Sequence, residues 1–172
     1  MRSTRMVDPD VFDTLSLVEL EEASGELHRR IGIALRYFGE PRADEWDAEG
    51  VSPRKRVSGY VALLELASQT LGAVTAAIAP PTVRVDQHPS IVAAIMYATP
   101  TIPSLLARLE QDRRQLASLA RGRETMLDYE HASPWGIVPT RRIVVEASIA
   151  EAARCAMALE RFLAVLDEAE RV

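Results

Sequence analysis

Cysteine is almost missing from this chain: Cys155 stands alone among 172 residues. No intrachain disulfide can form, and nothing points to an oxidising compartment. Aromatic residues make up only 5%, so the core must be built from Leu, Ile, Val and Ala, which suits close helix–helix packing. Histidine occurs three times, at His28, His88 and His131. Di-iron bundles need two Glu-x-x-His motifs on different helices, and neither is present. Asp128-Tyr129-Glu130-His131 supplies one Asp-x-x-His spacing, which chance provides easily, and no His-x-x-x-His occurs. There is no Gly-rich phosphate loop and no dinucleotide fingerprint. The expectation is therefore a protein with no cofactor and no metal.

Lysine is equally scarce, Lys55 being the only one beside 19 arginines. With the abundant Ala and Val, this bias points to a GC-rich bacterial genome. The net charge is −5, and no basic cluster exceeds Pro53-Arg54-Lys55-Arg56. Neutralising phosphates requires a basic face, so nucleic acid is not expected as a partner. No run of 18 apolar residues occurs, and the basic start, Met1 to Asp8, has no apolar stretch behind it. Neither a membrane span nor a signal peptide is read here, so the expected location is the cytoplasm, with no membrane partner.

Hydrophobic residues make up 48% and charged residues 26%, ordinary for one globular domain of this length. Residues 1–172 are read as a single helical domain, with 1–13 as a flexible arm. Four long segments carry helical periodicity. The first spans about 16–38, opened by the capping box Ser16-Leu17-Val18-Glu19 and stopped by Gly39 and Pro41. The second opens at Ser52-Pro53 and ends at Pro80-Pro81. The third spans about 101–127, and the fourth runs from Thr140 nearly to the end. A short apolar helix over about 88–98 precedes the third. The fold class read from this pattern is all-α: an antiparallel up-down four-helix bundle with one extra short helix before helix 3. Segments 39–51 and 128–140 read as long loops, and both tryptophans, Trp46 and Trp135, fall in them.

Candidate site residues are polar side chains at positions where the periodicity wants apolar ones. Advancing 100° per residue, Asp112 falls within the stripe of the third segment, between Leu109 and Leu116. Arg123 falls similarly between Leu119 and Met126. His28 lies near the stripe of the first segment, one turn after Ser24. Glu65 sits on the flank of the second, with Gln69 beside it. His28, Glu65 and Asp112 all lie near mid-helix, so an up-down bundle would bring them to one level. A histidine beside buried carboxylates could move protons near neutral pH. The plainer reading stands next to it. Asp112 pairs with Arg108 at i−4, His28 is satisfied by Ser24, Glu65 is solvated, and Arg123 complements a helix C-terminus.

The sharper reading is a small helical protein that binds a largely apolar organic molecule between its helices. Catalysis would be acid–base chemistry by His28, Asp112 and Glu65, such as isomerisation, cyclisation or dehydration. Trp46, Trp135 and Tyr129 would serve as a loop-borne lid or pocket wall, with Ser24 and Gln69 lining the pocket. The alternative is a non-enzymatic adaptor or regulator working through protein contacts. A homodimer through helix 4 or the short helix is also expected, because both are apolar nearly all round.

Overall fold

The computed structural model describes residues 9–12 and 14–169. The chain is mostly helical, 72% by residue, with one small two-stranded antiparallel sheet. Of the expected arm, Pro9–Phe12 forms a 3₁₀ turn and Phe12 packs against the core; residues 1–8 and 13 lie outside the described residues.

Local signals set the helix ends. In α1, Leu17–Arg42, the Ser16 and Glu19 side chains cap each other's backbone amides, and Gly39 leaves the helical region with φ 67°. That conformation costs glycine nothing, and Pro41 begins a last turn beyond it. In α2, Pro53–Thr75, Ser52 caps the start and proline takes the first position. His88 caps α3, Pro89–Ala98, and the chain then bends by 114° into α4, Ile102–Arg121. Thr101 and Ser104 cap α4, and Gly122 ends it. The helix expected to reach residue 127 thus stops at Arg121. Only a short 3₁₀ turn, Glu124–Met126, follows.

The expected second loop contains a hairpin. β1, Glu130–Ser133, pairs with β2, Gly136–Pro139. The turn is held by Ser133 Oγ, which donates to the Gly136 carbonyl and accepts from Trp135 N–H, and Gly136 takes φ 95°. Then α5, Thr140–Val145, a π-helical turn, Glu146–Ala150, and α6, Glu151–Ala169, follow without interruption.

Contacts between helix ends fix the directions of the long helices. At one end, Glu40 near the close of α1 accepts from Arg54 at the start of α2 and from the Ile102 amide at the start of α4. Arg54 also donates to the Pro100 carbonyl. At the other end, Arg121 of α4 pairs with Glu21 of α1, Arg123 reaches the last carbonyls of α2, and Arg141 of α5 donates to the Leu15 carbonyl. With α1 rising, α2 and α4 both descend and α5–α6 rises. This corrects the expected up-down-up-down order. Loop 76–88 and α3 are the reason: together they carry the chain back along α2 before α4 begins, and α3 packs on α2. Long crossover connections of this kind are what permit parallel neighbours in helical folds.

The core joins α1, α2, α4 and the α5–α6 rod through residues such as Leu20, Ile31, Leu35, Leu64, Leu105, Leu116, Ile149 and Leu159. The alanine face of the rod, Ala147, Ala150, Ala153 and Ala158, is buried within the chain. Helix α2 is long and apolar enough to span a membrane, yet 67% of its most apolar stretch is buried inside the protein, as in a core helix.

Candidate functional site

His28 lies 7% exposed on the inner face of α1, where its stripe position puts it. Its Nδ1 is 2.7 Å from the Ser24 carbonyl. A carbonyl can only accept, so Nδ1 carries the proton. Burial pushes the imidazole pKa down to about 4, leaving the ring neutral near pH 7. Nε2 is then a bare acceptor, and the Tyr60 hydroxyl of α2 donates to it across 3.1 Å. The rings lie 5.4 Å apart and tilted by 48°. Burial also pushes the Tyr60 phenol well above its ordinary value. The pair is a neutral, directional link through the core.

Asp112 and Glu65 meet elsewhere. Arg108 donates from Nη2 to Glu65 at 2.7 Å and from Nε to Asp112 at 3.1 Å. Asp112 is 3% exposed, and burial raises its carboxyl to about 6 against the opposing pull of Arg108. Two of the three expected residues thus converge on one arginine. Among the described residues, no hydrogen bond or ion pair joins His28 to Asp112. The charges acting on His28 are those of Arg113 and Glu110. The histidine's partner is Tyr60, which the apolar stripe of α2 conceals. The available signal is its hydroxyl, because a buried tyrosine needs a hydrogen-bond partner.

Arg123 is not a core residue of α4 but lies beyond its end. It donates to the Thr75 carbonyl and hydroxyl and to the Val74 carbonyl, so it caps the C-terminus of α2.

The space around the expected pocket residue Ser24 is small. The cavity between α1, α4 and α5 there measures about 20 Å³, room for a water-sized sphere and no organic molecule. Gln69 is exposed. Trp46 is 77% exposed on the connector before α2, and Tyr129 is also exposed. Trp135 is half-buried at the hairpin turn, where its ring supports the Arg84 guanidinium at 5.4 Å.

An open groove of about 260 Å³ lies beside His28 between α1 and α4, bounded by Gly25, Leu109 and Arg113. A cleft of about 320 Å³ opens between α2, α6 and the loop that leads into α3. Arg56, Gly59, Tyr60 and Leu63 form its α2 wall at one-turn spacing. Glu151, Arg154 and Cys155 form the α6 wall, and Arg84, Asp86 and Val92 close the side. The π-helical turn just before Glu151, marked by its amide bonding to the Glu146 carbonyl, leads into that α6 wall. Asp86 is buried and accepts a two-point fork from Arg84 at 2.8 and 2.9 Å. Arg154 pairs with Glu151 at 2.5 Å. On the outer side, Arg56 is held by Asp47 and Glu49 of the acidic connector, and Asp47 also accepts the Glu49 and Val51 amides. Burial pushes the Cys155 thiol up to about 12, so it is a neutral apolar floor, not a nucleophile. Among the described residues, no group of three or more His, Cys, Asp and Glu side chains is arranged to hold a metal ion.

No family model matches this chain, and no curated protein matches it. Two solved structures share the fold. One is a protein from Streptococcus pneumoniae, with 12% identity and a TM-score of 0.68 over 86% of this chain and 90% of that one. The other is an uncharacterized protein from Clostridium difficile 630, with 10% identity and a TM-score of 0.69 over 87% of this chain and 96% of that one. At such identities the likeness is one of fold: this chain has a helical architecture also found in proteins of those two bacteria.

Proposed function

We propose that the protein binds a small organic molecule with an apolar body in the α2–α6 cleft. The observation that carries this reading is the lining: a cleft of about 320 Å³ brings Tyr60, Leu63 and Val92 together with Arg56, Arg84 and Arg154 from three separate parts of the chain. Leu63, Val92 and the Tyr60 ring supply the apolar contact, and the rim supplies charge. The Tyr60–His28 link fixes the Tyr60 ring in the cleft wall, and Asp112 and Glu65 are engaged in holding Arg108. Supporting this frame, α1 packs on α6 and α4, and α2 on α4 and α6. We read these four long elements as a bundle in up-down-down-up order. Composition and the bacterial sources of the structural neighbours support a bacterial, cytoplasmic protein.

The test is a fragment set followed by NMR on the assigned protein. Binding that shifts the Gly59, Leu63 and Cys155 amides, and is lost in Gly59→Leu, supports the site. Fragments that shift only other surfaces refute it.

A second reading has its own observation. Tyr97 is 90% exposed and Ile91 is also exposed on α3, and Ile78, Val83 and Val85 are exposed in the segment that leads into it. These uncovered apolar side chains support a contact with a second copy of the chain through α3.

A further inference from the structure

We infer that the ligand of the α2–α6 cleft is an organic anion, a carboxylate on an apolar body, gripped by Arg56 and its neighbours; this rests on the reading of the cleft as a small-molecule site. Three arginines line the cleft, Arg56, Arg84 and Arg154, against two acids, Asp86 and Glu151, in a chain whose net charge is −5. Each arginine is engaged by an acid, Arg56 by Asp47 and Glu49, Arg84 by Asp86, and Arg154 by Glu151 with Glu146 3.9 Å away, and what remains over is guanidinium N–H groups. Both Asp86 oxygens accept from Arg84, and Glu151 holds Arg154 with Arg84 4.0 Å away. A guanidinium has five N–H donors. Arg56 uses only Nη2, for both Asp47 and Glu49. Among the described residues its Nε and Nη1 find no protein partner, and the side chain keeps one-fifth of its surface open to solvent. Arg84 likewise leaves Nη1 unused among them. This surplus of donors is fixed in place by the acids behind it, so a carboxylate meets guanidinium groups already oriented. Such planar forks match carboxylates in two-point geometry.

The α2 wall also carries Gly59, between Arg56 and Leu63, which like Gly25 and Gly72 has open space where a side chain would stand. Glycine is unfavourable within a helix, yet a Cβ added here meets nothing within 4 Å. Its φ lies outside the left-handed region. Neither packing nor backbone conformation therefore requires it. What its missing side chain leaves open is the cleft wall beside Arg56, where a ligand body can rest against the helix.

The test uses three probes of one shape: 2-naphthoate, 2-naphthamide and 2-naphthylmethylammonium. Binding is read from the Gly59 and Leu63 amides of the full chain, with thermal unfolding as a control for folding. The expected result is that 2-naphthoate binds at least tenfold tighter than the amide and that the ammonium does not bind. Arg56→Gln should abolish this preference while leaving amide binding unchanged, and Arg56→Lys should restore part of it. Gly59→Leu should block both the carboxylate and the amide without lowering the melting temperature. If the amide or ammonium binds at the cleft as well as the carboxylate, the anion assignment is overturned and the cleft stands as a site. If no probe shifts Gly59 or Leu63, both assignments fall.

Discussion

Tyr60 of α2 donates its hydroxyl to Nε2 of His28 on α1 at 3.1 Å, and the Ser24 carbonyl fixes the opposite ring nitrogen as the protonated one. Removing the phenol oxygen strands a buried acceptor. Tyr60→Phe should cost about 1–3 kcal/mol of stability by urea denaturation, the penalty for one unsatisfied buried polar group. The His28 imidazole should also move upward from about 4, because the lost bond favoured its neutral form. An unchanged His28 titration by NMR would show that the hydroxyl does not govern the ring.

His28 and Asp112 do not touch, but they oppose each other in pH dependence. Burial lowers His28 from 6.5 to about 4, so over that range only the unfolded chain takes up its proton, and stability rises with pH. Burial raises Asp112 from 3.8 to about 6, so over that range only the folded chain keeps its proton, and stability falls with pH. Each tenfold change in proton affinity is worth about 1.4 kcal/mol, so each effect is on the order of 3 kcal/mol and the two nearly cancel. Relative to wild type, Asp112→Asn should gain stability steadily between about pH 4 and 6. His28→Gln should lose it between about pH 4 and 6.5. Parallel profiles for wild type and both variants would contradict the assignment.

Arg123 should behave as a cap on a helix to which it does not belong. Arg123→Ala should cost about 1–2 kcal/mol, the range for a favourably placed cation at a helix C-terminus. It should also speed hydrogen exchange at Ala76 and Ala77, whose amides bond to Gly72 and Val74. Faster exchange confined to the end of α4 would point to the position read from the sequence instead.

The uncovered α3 side chains lead to an oligomer prediction. Sedimentation velocity at micromolar concentration should show a dimer, and Tyr97→Asp should convert it to a monomer of 19.0 kDa. A wild-type monomer removes the second-copy reading and leaves the cleft reading untouched.

Most helix limits are legible in the sequence because they are written locally. Ser16 with Glu19, Ser52-Pro53, Gly39 and Thr99-Pro100 act within a turn of where they stand. The direction of α4 is not legible. It depends on how far loop 76–88 and α3 travel along α2, which periodicity does not encode. The hairpin is hidden because its strands are four residues each and its turn is Pro134-Trp135, not the Asn-Gly or Asp-Gly pair that marks short hairpins. At the polar layer, the helical wheel places His28 and Asp112 on inward faces, and both are buried. It does not choose their partners, because those come from neighbouring helices whose order the wheel does not contain.

The π-helical turn Glu146–Ala150 holds one residue of slack between α5 and α6. Excising a single residue there would let the rod close into an unbroken α-helix and leave Glu151, Arg154 and Cys155 facing the cleft, because the wide turn holds one residue more than a regular turn. Ala152, Ala156 and Leu159 would keep their places in the core. The same deletion inside α6 would instead rotate every later residue by about 100°. A one-residue deletion should therefore be better tolerated within Glu146–Ala150 than within α6, which makes this turn the place in the rod where length can change without turning the cleft wall.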